Sequence, residues 1–144
     1  MITYRHTNAL DLDDVIDLYR ESTLGARRPI DDRETMTAMI ANANLTITAW
    51  EGDLLVGIAR SVTDFVYACY LSDLAVRLSH QRQGIGTRLI AETRKHLGEK
   101  SKIVLLSAPE AEEYYPRIGF TKHESAWLLR AGDDFEGGEK GEED

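Results

Sequence analysis

The chain of 144 residues has one cysteine, Cys69, which excludes an internal disulfide and is in keeping with a reducing cytoplasm. No segment approaches the roughly 20 consecutive apolar residues that a membrane helix needs. The opening Met1-Ile2-Thr3-Tyr4-Arg5-His6 has no apolar block of the kind a signal peptide carries. The four histidines, His6, His80, His96 and His123, show no metal-ligand spacing, so no metal is expected. There is no internal repeat and no basic stripe, and without such a stripe nucleic acid is not an expected partner.

What is abundant is acid, and it is unevenly placed. The formal net charge is −8, and the segment from Ala131 to Asp144 alone holds seven acids against Lys140. Residues 1–130 are therefore close to neutral and suit one domain, with an acidic, disordered tail over 131–144. In that tail Phe135 is the single large apolar residue, solvated or used for docking.

The hydrophobic pattern predicts alternating strands and helices. Ile2 to His6 reads as a strand. Asp11 caps a helix carrying Leu12, Val15, Ile16 and Tyr19 at helical spacing. Gly25 and Pro29 interrupt the pattern, so Ser22 to Ile30 is a loop, and a second helix starts near Asp31 or Asp32 with Met36, Met39 and Ile40 inward. Asn44 to Trp50 and Leu54 to Val62 form a hairpin around Glu51-Gly52-Asp53. Phe65 to Arg77 reads as one long strand. A helix from about Gly84 to Leu97 follows, then Ile103-Val104-Leu105-Leu106 as a buried central strand. A short helix spans about Pro109 to Arg117, and Phe120 to Arg130 holds one or two last strands, with Trp127, Leu128 and Leu129 either in the core or at a dimer contact. The strand–helix–strand unit in the middle calls for parallel strands.

The chemistry concentrates where the long strand ends. Gln81-Arg82-Gln83-Gly84-Ile85-Gly86 stands between a strand and an amphipathic helix. A helix N-terminus leaves backbone N–H groups unpaired and carries partial positive charge, and glycine lets a phosphate come close. Glycines also serve such turns for purely steric reasons, so the pair alone decides nothing. Its surroundings add more. Leu74-Ala75-Val76 precedes it, and Tyr114-Tyr115-Pro116-Arg117-Ile118-Gly119-Phe120 follows about thirty residues on.

Together these segments resemble the GNAT acyltransferases, over roughly Ile2 to Arg130. They match that superfamily's Gln/Arg-x-x-Gly-x-Gly/Ala loop and its aromatic-Tyr-x-(Lys/Arg)-x-Gly-Phe segment. The resemblance implies an α/β (α+β) GNAT fold: a mixed central sheet of six to seven strands with four helices, in the order β-α-α-β-β-β-α-β-α-β. It implies acetyl-CoA as cosubstrate. The backbone of Leu74 and Val76 would bond the pantetheine arm in a gap opened by a β-bulge. The N–H groups of Arg82, Gln83, Gly84, Ile85, Gly86 and Thr87 would hold the diphosphate. The Arg82 side chain would face phosphate or simply be solvated.

The same resemblance places Tyr115 where the family's general acid stands, able to protonate the leaving thiolate; the alternative is a packing tyrosine. Many relatives carry Glu-Asp before the Leu-Ala-Val segment, whereas this chain has Ser72-Asp73. Asp73 is then a base, an amine anchor or a structural carboxylate bonded to backbone N–H groups. A water chain lined by Ser72 and Tyr70 is another route for the proton. Arg27 and Arg28, in the candidate lid, would bind an acceptor carboxylate, stay solvated or pair with Asp31 and Asp32. Asp64, Tyr67 and Tyr70 suit a cationic or aromatic amine instead. Cys69 lies inside a strand with no histidine at suggestive spacing and reads as a buried apolar residue.

The expected function is transfer of an acetyl group to a primary amine of a small molecule through a ternary complex, by a cytoplasmic protein that forms a homodimer. The alternatives are a non-catalytic acyl-CoA-binding module and a protein or peptide N-acetyltransferase.

Overall fold

The computed structural model describes residues 1–137. The acidic tail expected from residue 131 continues past residue 137, and that part lies outside the described residues. The chain divides into two compact units, Met1–Ser107 and Ala108–Asp144.

The first unit is built on a sheet of five strands in the order of the sequence: β1 (Ile2–His6), β2 (Leu45–Glu51), β3 (Leu54–Thr63), β4 (Ala68–Val76) and β5 (Lys102–Val104). The first three pairings are antiparallel and β4–β5 is parallel, so the sheet is mixed. Helix α1 (Leu12–Arg20) begins at Asp11, whose carboxylate accepts from the Asp13 N–H. Helix α2 (Arg33–Asn42) begins at Asp32, which accepts from the Thr35 N–H. Each cap satisfies a donor the first helical turn cannot. The segment between these helices includes a 3-10 turn, Thr23–Arg27.

The apolar faces of α1 and α2 close over one side of the sheet. Val15, Leu18, Tyr19 and Met36 are fully buried there with Leu55, Ile58 and Ala75. Helix α3 (Ile85–Arg94) links β4 to β5 and covers the other side. It comes close because β3 has no side chain at Gly57. A Cβ there would stand 3.0 Å from Leu89 Cδ1, 3.2 Å from Ile85 Cγ2 and 3.3 Å from the Ala75 carbonyl oxygen. Gly57→Val is therefore expected to destabilise the protein by about 1–3 kcal/mol, the usual range for overpacking. Thermal unfolding measures this, and a melting temperature equal to the native one would contradict the close packing.

Four expectations are corrected. The sheet has five strands, not six to seven, because no strand follows Phe120 among the described residues. Trp127, Leu128 and Leu129 are exposed, Trp127 at 94%. The strand expected over Phe65–Arg77 begins only at Ala68. Asp64 Oδ1 accepts from the backbone N–H of Val66, Tyr67 and Ala68, and Phe65 takes a left-handed φ of 70°. This side chain competes with the strand ladder and turns the chain without glycine. The apolar run Ile103–Leu106 is not a buried central strand. Only Lys102–Val104 pairs, at the sheet edge, and Val104 and Leu106 are half exposed. Four α-helices form among the described residues, the fourth being the single turn α4 (Tyr114–Arg117) of the second unit.

Candidate active site

Two features of the first unit meet at the end of β4. The first is an interrupted strand. Arg60 of β3 faces Asp73 and Ser61 faces Leu71, so Ser72 is an extra residue, a β-bulge. Strand β5 pairs only with Ala68–Tyr70. Along Leu71–Val76, across and past the bulge, no strand of the described residues pairs on that edge. The Arg77 N–H bonds back to the Val56 carbonyl at 2.9 Å. Backbone groups alternate in direction along a strand, so those of Leu74 and Val76 point away from β3, into the gap left by β5. Gln81 Nε2 reaches the Val76 carbonyl from the following loop at 3.1 Å.

The second feature is the start of α3. Gly84 caps it with φ 82° and brings no side chain, and Arg82 is also left-handed at φ 65°. For arginine this conformation is uncommon. The N–H groups of Ile85 and Gly86 lie in the first turn, where a helix has no internal acceptor. No acid occupies that turn, although acids are favoured there. A Cβ on Gly84 would meet nothing within 4 Å. Among the described residues nothing covers the backbone at Gly84, which leaves it open to an anion from outside. The Arg82 and Gln83 side chains are exposed beside it, while the Ile85 side chain is buried under the helix. Arg88 is directed elsewhere: it bonds Glu92 Oε2 at 2.8 Å and lies 4.7 Å over the Tyr4 ring.

On the α1–α2 side of the bulge stands a buried charged cluster. The Asp73 side chain is fully buried. Its Oδ2 accepts from Arg60 Nε and from the Tyr19 hydroxyl, each at 2.6 Å. Its Oδ1 accepts from Arg28 Nε at 2.6 Å. Burial alone would raise the Asp73 carboxyl. The Arg60 hydrogen bond and charge, the Tyr19 hydroxyl and Arg28 outweigh it and hold the group below the ordinary carboxylate range. Burial, with the Asp73 charge second, pushes the Tyr19 phenol well up, so it stays a neutral donor. Arg60 also binds the Met39 carbonyl and Ser72 Oγ. Arg28 binds the Ser72 and Arg27 carbonyls.

The structure therefore brings Arg28, Ser72 and Asp73 together. Arg28 pairs with Asp73, not with Asp31 or Asp32, and the Asp73 carboxylate is held by side chains, not by backbone N–H groups. Arg27 is exposed, and Tyr70 is 40% exposed on the sheet face next to the bulge. Cys69 is buried. Arg60 and the Tyr19 hydroxyl escaped the sequence reading. An arginine following the apolar run Leu54–Ala59 inside a strand was the available signal, since an unpaired buried guanidinium is rare.

In the second unit Tyr115 sits on α4, half buried, edge-on to Tyr114 and Phe120 with centroids 5.1 and 5.4 Å away. Burial, then the Tyr114 neighbour, raises its phenol above the ordinary value, so it keeps its proton at neutral pH. Among the described residues no three His, Cys, Asp or Glu side chains converge as a metal site, and no helix is long and apolar enough to cross a membrane.

Several known proteins share this architecture. A probable acetyltransferase of unknown function from meticillin-resistant Staphylococcus aureus superposes with a TM-score of 0.75 at 22% identity, over 90% of this chain and 99% of that one. A GNAT family acetyltransferase from Streptococcus pneumoniae TIGR4 gives 0.70 at 25% identity, over 90% and 99%. The aminoglycoside N-acetyltransferase AAC(6')-Iy, solved in complex with CoA, gives 0.70 at 18% identity, over 90% and 94%. No curated protein matches the chain. Residues 20–132 match the model of the acetyltransferase (GNAT) domain. That span includes the bulge, the glycine-capped helix and Tyr115, and with most of the chain inside the match, this protein belongs to the GNAT family of acetyltransferases.

Proposed function

We propose that this protein transfers an acetyl group from acetyl-CoA to the primary amine of a small molecule, directly and without a covalent enzyme intermediate. The observation that carries this reading is the acid-free, glycine-capped start of α3 beside the free edge of β4. A diphosphate fits the first, as anions do at helix N-termini. An extended amide-bearing arm fits the second, bonding the Leu74 and Val76 backbone as an added strand would. The N–H groups from Arg82 to Thr87 hold the diphosphate in this reading. The Val76 N–H, on the free edge of β4 past the bulge at Ser72, polarises the thioester carbonyl.

Transfer forms a C–N bond and breaks a C–S bond. The acceptor must present a neutral amine, so one proton leaves its nitrogen, and the departing thiolate gains one. Tyr115 supplies the second proton from a phenol that burial keeps protonated. Asp73 is a poor acceptor for the first: both its oxygens are engaged and its basicity is lowered. We assign the first proton to water near Ser72 and Tyr70, and give Asp73 the role of fixing the bulge and the loop that carries Arg28.

The test is CoA release from acetyl-CoA across a panel of amines, with the acetylated product identified by mass. Amine-dependent release is the expected result. Acetyl-CoA binding with no release on any amine would favour an acyl-CoA-binding module, and acetyl label on protein alone would favour a protein acetyltransferase.

A further inference from the structure

The buried cluster carries more positive than negative charge. Arg28 and Arg60 face one carboxylate, Asp73, while Tyr19 stays neutral. Arg60 is 8% exposed and closed in; Arg28, at 23%, is the cluster's outlet. Its guanidinium has five N–H bonds. Nε donates to Asp73 Oδ1 at 2.6 Å, Nη1 to the Arg27 carbonyl and Nη2 to the Ser72 carbonyl at 2.8 Å. Two N–H bonds remain, one on each Nη. A planar guanidinium offers such a pair of donors to the two oxygens of a carboxylate.

A second, independent feature adjoins it. Val62 of β3 faces Tyr70 of β4, and Tyr70 faces Val104 of β5. They form a row across three strands, exposed at 50%, 40% and 47%. Val62 is two residues from Arg60, and alternation puts both side chains on the same sheet face. The row thus lies about 6.6 Å along the strands from the level of Arg60 and Asp73. An apolar amino acid spans this length from its carboxylate to the end of its side chain.

Resting on the transferase reading above, we propose that the acceptor is a free α-amino acid with an apolar side chain. Its carboxylate takes the two remaining N–H bonds of Arg28 and its side chain lies along Val62, Tyr70 and Val104. The α-amine, bonded to the carbon between them, is then held over the bulge. A peptide N-terminus carries no α-carboxylate beside its amine and does not satisfy Arg28 in this way.

The test compares phenylalanine, phenylalanine amide, phenethylamine, glycine and a dipeptide beginning with phenylalanine, with the native protein, Arg28→Gln and Tyr70→Ala. Phenylalanine is expected to exceed its amide, phenethylamine and the dipeptide by about 10- to 100-fold in kcat/KM, the range for hydrogen bonds to a charged group. Arg28→Gln narrows that gap by raising KM for phenylalanine alone. Tyr70→Ala narrows the preference for phenylalanine over glycine. The native protein's own comparison decides the matter even if a variant folds poorly. Turnover that is equal or higher with phenethylamine, the amide or the dipeptide overturns this acceptor class and leaves the transferase reading standing. Release of CoA on no amine at all, with acetyl-CoA still bound, overturns both.

Discussion

Asp73→Asn is expected to destabilise the protein by about 3–5 kcal/mol, the usual effect of removing one partner from a buried ion pair. In a chain of this length that lowers the melting temperature by roughly 10–20 °C. The reason lies in the donors. Arg28 Nε, Arg60 Nε and the Tyr19 hydroxyl converge on two fully buried oxygens at 2.6 Å, and Ser72 Oγ adds a longer bond at 3.4 Å. An asparagine amide keeps one oxygen and turns its NH2 toward a guanidinium, so at least one arginine loses its partner inside the fold. Tyr19→Phe removes a single hydrogen bond and is expected to have a smaller effect, about 1–2 kcal/mol. The pH dependence follows from the same geometry. The folded-state carboxyl is held below its ordinary value. Its contribution is complete above the unfolded value of about 4 and is lost as pH falls through the folded one. The native protein should therefore lose stability below pH about 4, and Asp73→Asn should lose less over that range. Denaturant unfolding at pH 7 and at pH 3 measures both. A variant of native stability whose turnover nevertheless collapses would contradict this role and return Asp73 to the position of general base.

Tyr115→Phe is expected to lower kcat by about 10²- to 10⁴-fold, the range for loss of a general acid. Phenylalanine keeps the ring that packs edge-on against Phe120 and Tyr114, so the fold should be retained. The melting shift produced by acetyl-CoA should also be retained, which separates loss of chemistry from loss of binding. Because the phenol is raised above its ordinary value, its deprotonation should depress the native rate only above pH about 10. Unchanged turnover in Tyr115→Phe would remove this residue from the mechanism.

The elements around the site were legible because local chemistry marks them. Asp11 and Asp32 cap the helices they precede, and the Glu51-Gly52-Asp53 turn joins β2 to β3. Gly84 stands at the left-handed cap that opens α3. What was not legible depends on partners distant in sequence. Asp73 meets Tyr19, Arg28 and Arg60 across separations of 54, 45 and 13 residues, and nothing near Asp73 reveals them. The turn at Asp64–Tyr67 was hidden by the apolar residues Phe65 and Val66, which continue a strand-like pattern while the Asp64 side chain redirects the backbone. Ile103–Leu106 shows the limit of composition. A short apolar run fits a buried strand and an edge strand equally, and the bulge at Ser72, where β4 leaves β5, goes with an edge.

The central claim, that the start of α3 is a diphosphate cradle, is tested most directly by the melting temperature with and without acetyl-CoA. The native protein is compared with Gly84→Glu, which adds a carboxylate and a side chain at φ 82°. A ligand at a hundredfold excess over Kd stabilises the native state by about 2.7 kcal/mol. That corresponds to a rise of roughly 5–10 °C for the native protein, with little or none for Gly84→Glu measured against its own ligand-free melt. Equal shifts in the two proteins, or no shift in the native one at millimolar acetyl-CoA, would contradict the cradle.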